Sequence, residues 1–562
     1  MRIPRPKKLW TRTLAVAAAG TLTVGALAAC DAGSATSASG DSGTTTAEIS
    51  ATDNSGRSAQ DVLAANLSSE ETAALADQTW DTADEVAVSL DGDRASASGD
   101  GATVDGSTVT ITQPGTYRVS GTLDDGQVVV DCSADGVVRL VLDGADVTSS
   151  TGAAIDVQDA DQVSVVLAEG STNRLEDAQE YAEMTSDNAA NAALYSTADL
   201  AISGSGALEV VGNADDGITG KDGLVVAGGD LTVTAADDAV RGKDYLVVSG
   251  GTLDVRAGGD GLKSDADDDA TAGYVALTGG DVTVDAGSDG VQGFTDVAVT
   301  DGNLTVTGSE EGIEAATIAV SGGDVDITSS DDGLNATVKE PGDDTTDATT
   351  DDTATDDGTS GDQQAQPEPP ADGEMPQGGG GGGMDAVQEG ASLTITGGTL
   401  HVDADGDGLD SNGVAEISGG DVVVEGPTND GNGALDSAGG LTASGGTLLA
   451  VGSSGMAEAP ESGSTQGWVA LAADSTLEAG TEVAVVDADG TEVATITLTK
   501  AARSVVYTGP EITDGGTYTL TADGTEVGTA TAGDPPAGGM GGPGGGGQPG
   551  GPADGTLPDG AS

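Results

Sequence analysis

Cations, aromatic rings and cysteines are what this chain most lacks. Lys and Arg number 18 against 95 Asp and Glu, a formal net charge of −77 over 562 residues. Such a field repels phosphate backbones and excludes nucleic acid as a partner, and it opposes simple electrostatic capture of an acidic polymer. Aromatic residues make up only 2% of the chain, so an aromatic platform for stacking sugars is not evident. The one histidine, His401, lies in TLHV at an outward strand position and reads as incidental. Of the 2 cysteines, Cys30 belongs to the N-terminal signal described below. Cys132 lies in an apolar run without an available partner and reads as a buried free thiol, so no disulfide is expected.

What the chain has instead is a repeat. From Asp199 to about Met456 one short phrase recurs, as in DGLVVAGGDLTVTAADDAVRGK from Asp222, DYLVVSGGTLDVRAGGDGLKSD from Asp244 and SLTITGGTLHVDADGDGLDSN from Ser392. Within each unit apolar residues alternate (Leu246 and Val248, then Leu253 and Val255), the period of a strand with one buried face. Gly pairs such as Gly250-Gly251 and Gly279-Gly280 supply positive φ between the two runs. A third apolar point follows at Ile218, Val240, Leu262, Val291, Ile313, Leu334 and Leu409. A unit of about 22 residues with three short strands predicts an all-β fold, a right-handed parallel β-helix. In such a solenoid each coil buries its apolar face only against its neighbours. Leucine-rich repeats share the period but need a helical segment that is missing here, and the glycine density excludes helical repeats.

The ends carry an address. MRIPRPKKLW, an apolar stretch and Leu27-Ala28-Ala29-Cys30 read as a lipoprotein signal peptide over 1–29, with the Cys30 thiol taking the diacylglyceryl group. The chain is then expected at the cell membrane, lipid-anchored and facing the extracellular side. Residues 30–78 read as a disordered Ser/Thr/Gly/Ala tether, and 79–456 as the repeat domain. An acidic, Gly-rich disordered insertion interrupts it at 340–388. A small C-terminal β-strand module (457–533) and a Gly/Pro tail (534–562) follow.

Acidic residues recur at the turn before the third strand: Asp215, Asp216, Asp237, Asp238, Asp260 and Asp289, continuing through Glu310, Glu311, Asp331 and Asp332. Stacked about 5 Å apart, like charges repel by roughly 1 kcal/mol even in water. A cation bridging the ladder would relieve this, and hard oxygen ligands suit Ca²⁺. Asp-Gly is also simply good turn chemistry, and both readings stand. DADGDGLDSN offers a local set, Asp403, Asp405, Asp407 and Asp410, which opens like an EF-hand loop but has Val414 at its twelfth position. The acidic stretch Asp265, Asp267, Asp268 and Asp269 is a second set, or a solvated loop. The scarce cations keep the repeat spacing: Lys221 with Lys243, and Arg241 with Lys263. They neutralise the acidic ladder, or they contact a bound glycan with Tyr245 stacking on a sugar face.

GKDYLVVSGGTLDV, DGLKSD and NAALYSTADLAISGSGAL resemble a family of bacterial cell-surface carbohydrate-binding parallel β-helix proteins related in fold to pectate lyases. The resemblance covers roughly residues 80–456 plus the C-terminal strands; Gln292 and Asn335 depart from it where a basic residue is usual. It implies calcium-stabilised binding of polysaccharide, polygalacturonate and cellulose among them, without cleavage. The expected function is therefore a non-catalytic, monomeric polysaccharide binder. The alternatives are an envelope stalk without a glycan ligand and a calcium-dependent lyase, whose base would be sought at Arg241 or Lys243.

Overall fold

The computed structural model describes residues 56–77, 79–181, 189–342 and 387–536. These belong to the unit Ile49–Ser562; the other unit, Met1–Glu48, lies outside them. The signal peptide, Cys30, the first part of the tether, most of the acidic insertion and most of the tail likewise fall outside the described residues.

Alternation of apolar and polar residues produces strands as expected, and their inward residues form one continuous core. Leu246, Val248, Leu253 and Val255 are buried, as are the third-strand residues Ile218, Val240, Leu262, Val291, Ile313, Leu334 and Leu409. Cys132 is buried and free. Each buried aliphatic side chain contributes about 1.5–3 kcal/mol, and the contribution exists only once the neighbouring repeat covers it.

The arrangement of the strands corrects the expected parallel β-helix. Eight parallel strands of the largest sheet pair in a closed ring, a barrel rather than an open solenoid. Val137–Thr148 pairs with Gln162–Leu167, which leads through Leu200–Gly204 and Gly223–Val226 to Tyr245–Arg256. From there the pairing returns through Asp230–Ala235, Ala207–Gly212 and Thr172–Glu176 to Val137–Thr148. The cause lies in two strands of 12 residues, Val137–Thr148 and Tyr245–Arg256, that run through the glycine corner unbroken. Each takes two partners on one side and so joins two faces that the repeat pattern presents as separate. Beyond Tyr245–Arg256 the sheet continues through long parallel strands, Tyr274–Asp285 to Leu441–Gly452. A second sheet of 13 mostly short strands carries the acidic turns, and a 4-stranded antiparallel sheet lies between Glu482 and Thr531.

Residues 56–77, placed in the tether by sequence, form two short helices, Ala59–Ala65 and Glu70–Ala74. Ser58 caps the first by accepting from the Asp61 N–H. Ala59 and Val62 pack on Ala298 and Ala319, and Leu75 packs on Val225, Tyr245 and Tyr274. This strap covers part of the outer face of the large sheet.

The corner glycines bear a specific load. Gly302 has φ +92°, and a Cβ there would lie 2.8 Å from the Gly280 carbonyl oxygen of the preceding repeat. Gly302→Ala is expected to cost about 1–3 kcal/mol, read as a fall in the urea midpoint at unchanged slope. An unchanged midpoint would show that the corner can relax.

Candidate functional site

The second sheet sets two parallel files of side chains. Its short strands each turn an apolar residue into the core, and the next residue turns away from it: Thr219, Arg241, Lys263, Gln292, Glu314, Asn335, Asp410 and Asp436 in register. Two positions before each apolar residue stand Asp216, Asp238, Asp260, Asp289, Glu311, Asp332 and Asp407.

Most of this acidic file is tied to the backbone of the following repeat. The Asp238 N–H donates to Asp216 Oδ1 (3.3 Å), the Asp260 N–H to Asp238 Oδ1 (2.9 Å) and the Asp289 N–H to Asp260 Oδ1 (2.9 Å). The Asp407 N–H likewise donates to Asp332 Oδ1 (2.7 Å), and the Gly433 N–H to Asp407 Oδ1 (2.5 Å). A turn N–H buried between repeats needs an acceptor, and a short carboxylate one repeat back supplies it. The sequence reading weighed metal against turn chemistry and missed this role. Its only sequence signal is the strict position of the Asp relative to the following apolar residue.

The outward file meets the acidic one with cations at Arg241 and Lys263 and with neutral amide donors at Gln292 and Asn335. Arg241 bonds Asp265 and lies 3.8 Å from Asp216. Lys263 Nζ is 2.8 Å from Asp260 and 3.4 Å from Asp238. Gln292 Nε2 donates to Asp289 (2.9 Å), Lys339 pairs with Glu314 (2.5 Å) and Asn335 Nδ2 donates to Glu311 (3.0 Å). Lys221 and Lys243 are half-buried beside this cluster. Burial lowers the Lys221 pKa, and neighbouring Arg241 adds to the effect.

Proton affinities record where neutralisation is incomplete. Burial, with Asp216 and Asp237 close by, pushes Asp215 up to about 7. Burial raises Asp216 as well, against the pull of Arg241. Asp238 and Asp289 are raised well above the usual carboxylate range by burial and then by Asp260. Glu311 reaches about 8 through burial and Glu314, and Asp332 about 7 through burial. Asp407 rises to about 6 and Asp410 to about 8, again from burial first. Asp265 is the contrast: burial works against its charge, but Arg241 outweighs burial and holds its pKa low.

Among the described residues, two groups offer converging oxygens. Asp215, Asp216 and Asp237 bring one carboxylate oxygen each within 4.8 Å of one another, as do Asp289, Glu311 and Glu314. The buried Oδ1 of Asn191 lacks a hydrogen-bond partner among the described residues, while its Nδ2 donates to Asp216 (2.7 Å). The set Asp403, Asp405, Asp407 and Asp410 is not brought together in this way. Asp403 and Asp405 face Lys500 at 2.7 and 3.6 Å, whereas Asp407 and Asp410 belong to the two files.

Tyr245 lies under the strap, 4% exposed. Its ring stacks on Tyr274 with centroids 5.4 Å apart, and its hydroxyl meets Thr72 Oγ1 at 2.7 Å. The ring face is thus given to the neighbouring repeat and the polar tip to the strap. His401, read as incidental, sits between Asp326 (2.9 Å) and Glu425 (3.5 Å). Its pKa rises to about 9, chiefly through Glu425 and then, against burial, through Asp326. Glu425 also accepts from the Thr499 N–H and Oγ1, which ties the C-terminal strands to the repeats.

Residues 105–358 match the family described as carbohydrate-binding domain-containing proteins. Over that stretch the chain is similar to carbohydrate-binding proteins. A protein of that description from Acetivibrio thermocellus is 42% identical over 128 residues, 23% of this chain. The match covers 45% of that relative, so the chain spans less than half of its length. A solved structure of a polysaccharide lyase-like protein from C. thermocellum, a gadolinium derivative, is 33% identical, with a TM-score of 0.41. It covers 42% of this chain and 97% of its own. The segment similar to carbohydrate-binding domains contains Lys221, Arg241, Lys243, Tyr245 and Lys263, together with both converging carboxylate groups.

Proposed function

We propose that the chain is a polysaccharide-binding protein that does not cleave its ligand, anchored by lipid at Cys30 on the outside of the cell and stabilised by Ca²⁺. The observation that carries the reading is the carbohydrate-binding match over 105–358, on a scaffold whose repeated charges are committed to one another. A lyase would need a cation centre beside a base free to take a proton. Of the two residues where that base would be sought, Arg241 instead holds Asp265 and Asp216.

Asp215, Asp216 and Asp237 fit the hard oxygen set that Ca²⁺ prefers. A divalent ion there would hold Asp215 ionised and offset its repulsion from its neighbours. Free Ca²⁺ at 100 times its dissociation constant is expected to add about 2.7 kcal/mol of stability, and Asp216→Asn to abolish that increment. Thermal unfolding with Ca²⁺ and with chelator reads both, and equal curves would sink the calcium assignment.

The function itself is tested by retaining the full-length mature protein on immobilised polysaccharides, with and without Ca²⁺, while following release of unsaturated sugar. Retention without release is expected. Unsaturated product would make the protein a lyase, and absence of retention on every polysaccharide would favour a structural stalk.

A further inference from the structure

A shallow, widely open furrow of about 610 Å³ runs along the glycine corner of four successive repeats, away from the acidic ladder. Its floor is backbone: Gly280, Gly302, Gly323 and Gly398 carry no side chain, because a Cβ at any of them would strike a carbonyl oxygen of the previous repeat at 3.1 Å or less. One wall is a register-matched file, Asp281, Asn303, Asp324 and Thr399, all exposed. Asp301 also lines the furrow. Within the wall Asn303 Nδ2 donates to Asp281 Oδ1. The corner therefore presents short side-chain oxygens at the strand spacing of about 4.8 Å.

We propose that this furrow is where a polysaccharide chain lies, running across the repeats, and that the chain it takes is uncharged. The proposal rests on the polysaccharide-binding reading above and gives it a location. Two observations lead here. Two of the four cations that the repeat offers for ligand contact, Arg241 and Lys263, are turned onto carboxylates, their side chains only 21% and 10% exposed. The furrow, by contrast, is open, and its residues up to Asp324 lie inside the carbohydrate-binding match. The chemistry selects the ligand class. Carboxylates accept strong hydrogen bonds from sugar hydroxyls but repel uronate groups, and among the lining residues none is cationic. An extended β-1,4 glycan advances by roughly one pyranose ring per sugar, close to the spacing of the wall, and turns the same hydroxyls to it at every second sugar. A glycine floor lets the ring approach the backbone closely.

The test uses the full-length mature protein and two probes, cellohexaose and hexagalacturonate, with calorimetry as the readout. The double variant Asn303→Ala/Asp324→Ala removes wall oxygens at exposed positions, and Thr497→Ala on the C-terminal sheet serves as a control. Wild type and control are expected to bind cellohexaose more tightly than hexagalacturonate, with the double variant at least about tenfold weaker. Circular dichroism and an unchanged urea midpoint would establish that the double variant is folded. Binding of cellohexaose that the folded double variant retains would overturn the furrow and leave the polysaccharide reading standing. Preference for hexagalacturonate would overturn the uncharged ligand class. Failure of the wild type to bind either probe, or any immobilised polysaccharide, would overturn both readings together.

Discussion

Lys263→Met is expected to lower the unfolding free energy by about 3–5 kcal/mol at pH 7.5. Lys263 is 8% exposed, and its ammonium stands between Asp260 and Asp238, which are 1% and 2% exposed. Removing it leaves two buried carboxylates facing each other across neighbouring repeats, and the medium between them screens poorly. Each keeps its backbone donor, since the Asp260 and Asp289 N–H groups still point at them. The fold should therefore persist in weakened form. Adding Asp238→Asn and Asp260→Asn to Lys263→Met should recover most of the loss, because an amide oxygen still accepts from the backbone without carrying charge. Urea unfolding of the single and triple variants measures this. A loss under about 1 kcal/mol for the single variant would mean that water reaches the pair and screens it.

The second large effect is a fall in stability as pH rises from about 4.5 to 8. Asp407, Asp215, Asp332, Glu311 and Asp410 have folded-state pKa values of about 6, 7, 7, 8 and 8. In the unfolded chain they ionise near 4. Below that pH they are protonated in both states and exert no effect. Above it the unfolded chain releases protons that the folded chain retains, so stability declines until the folded pKa values are passed. A tenfold change in proton affinity corresponds to about 1.4 kcal/mol, and solvent screening at partly exposed positions reduces the sum to roughly 3–6 kcal/mol. Asp265 and Glu425 act oppositely: their folded pKa values are depressed, so their contribution is lost only as pH falls below the ordinary carboxylate range. The stability maximum should thus lie near pH 5. Asp410→Asn should raise stability at pH 8 by about 1–3 kcal/mol and do little at pH 4.5. A melting temperature that is flat from pH 5 to 8 in chelator would contradict this account.

The strands, the core and the charge ladder were legible in the sequence because each is written locally and then repeated. Period-two alternation puts Leu253 and Val255 inside wherever the unit sits, and the spacing of Asp216, Asp238 and Asp260 stacks them in any fold that stacks the units. Closure of the sheet was not legible. It depends on whether Val137–Thr148 and Tyr245–Arg256 bend through their corners as single strands and take two partners each. A pair of glycines permits either a break or a bend, and hydrogen bonds to non-local partners decide between them. The carboxylate ladder was visible as a pattern but not as a bonding scheme, because its donors are backbone N–H groups with no signature in residue identity.

Tyr245 shows the same division. Sequence places an aromatic ring beside Lys243, and only the tertiary structure brings Tyr274 against its face and Thr72, 173 positions away in the chain, against its hydroxyl. What the sequence determined alone is therefore composition, strand periodicity and the order of charges along the ladder. Which groups face solvent, which partners neutralise them and where an open furrow remains were decided by long-range packing, since burial and pairing are properties of neighbours rather than of residues.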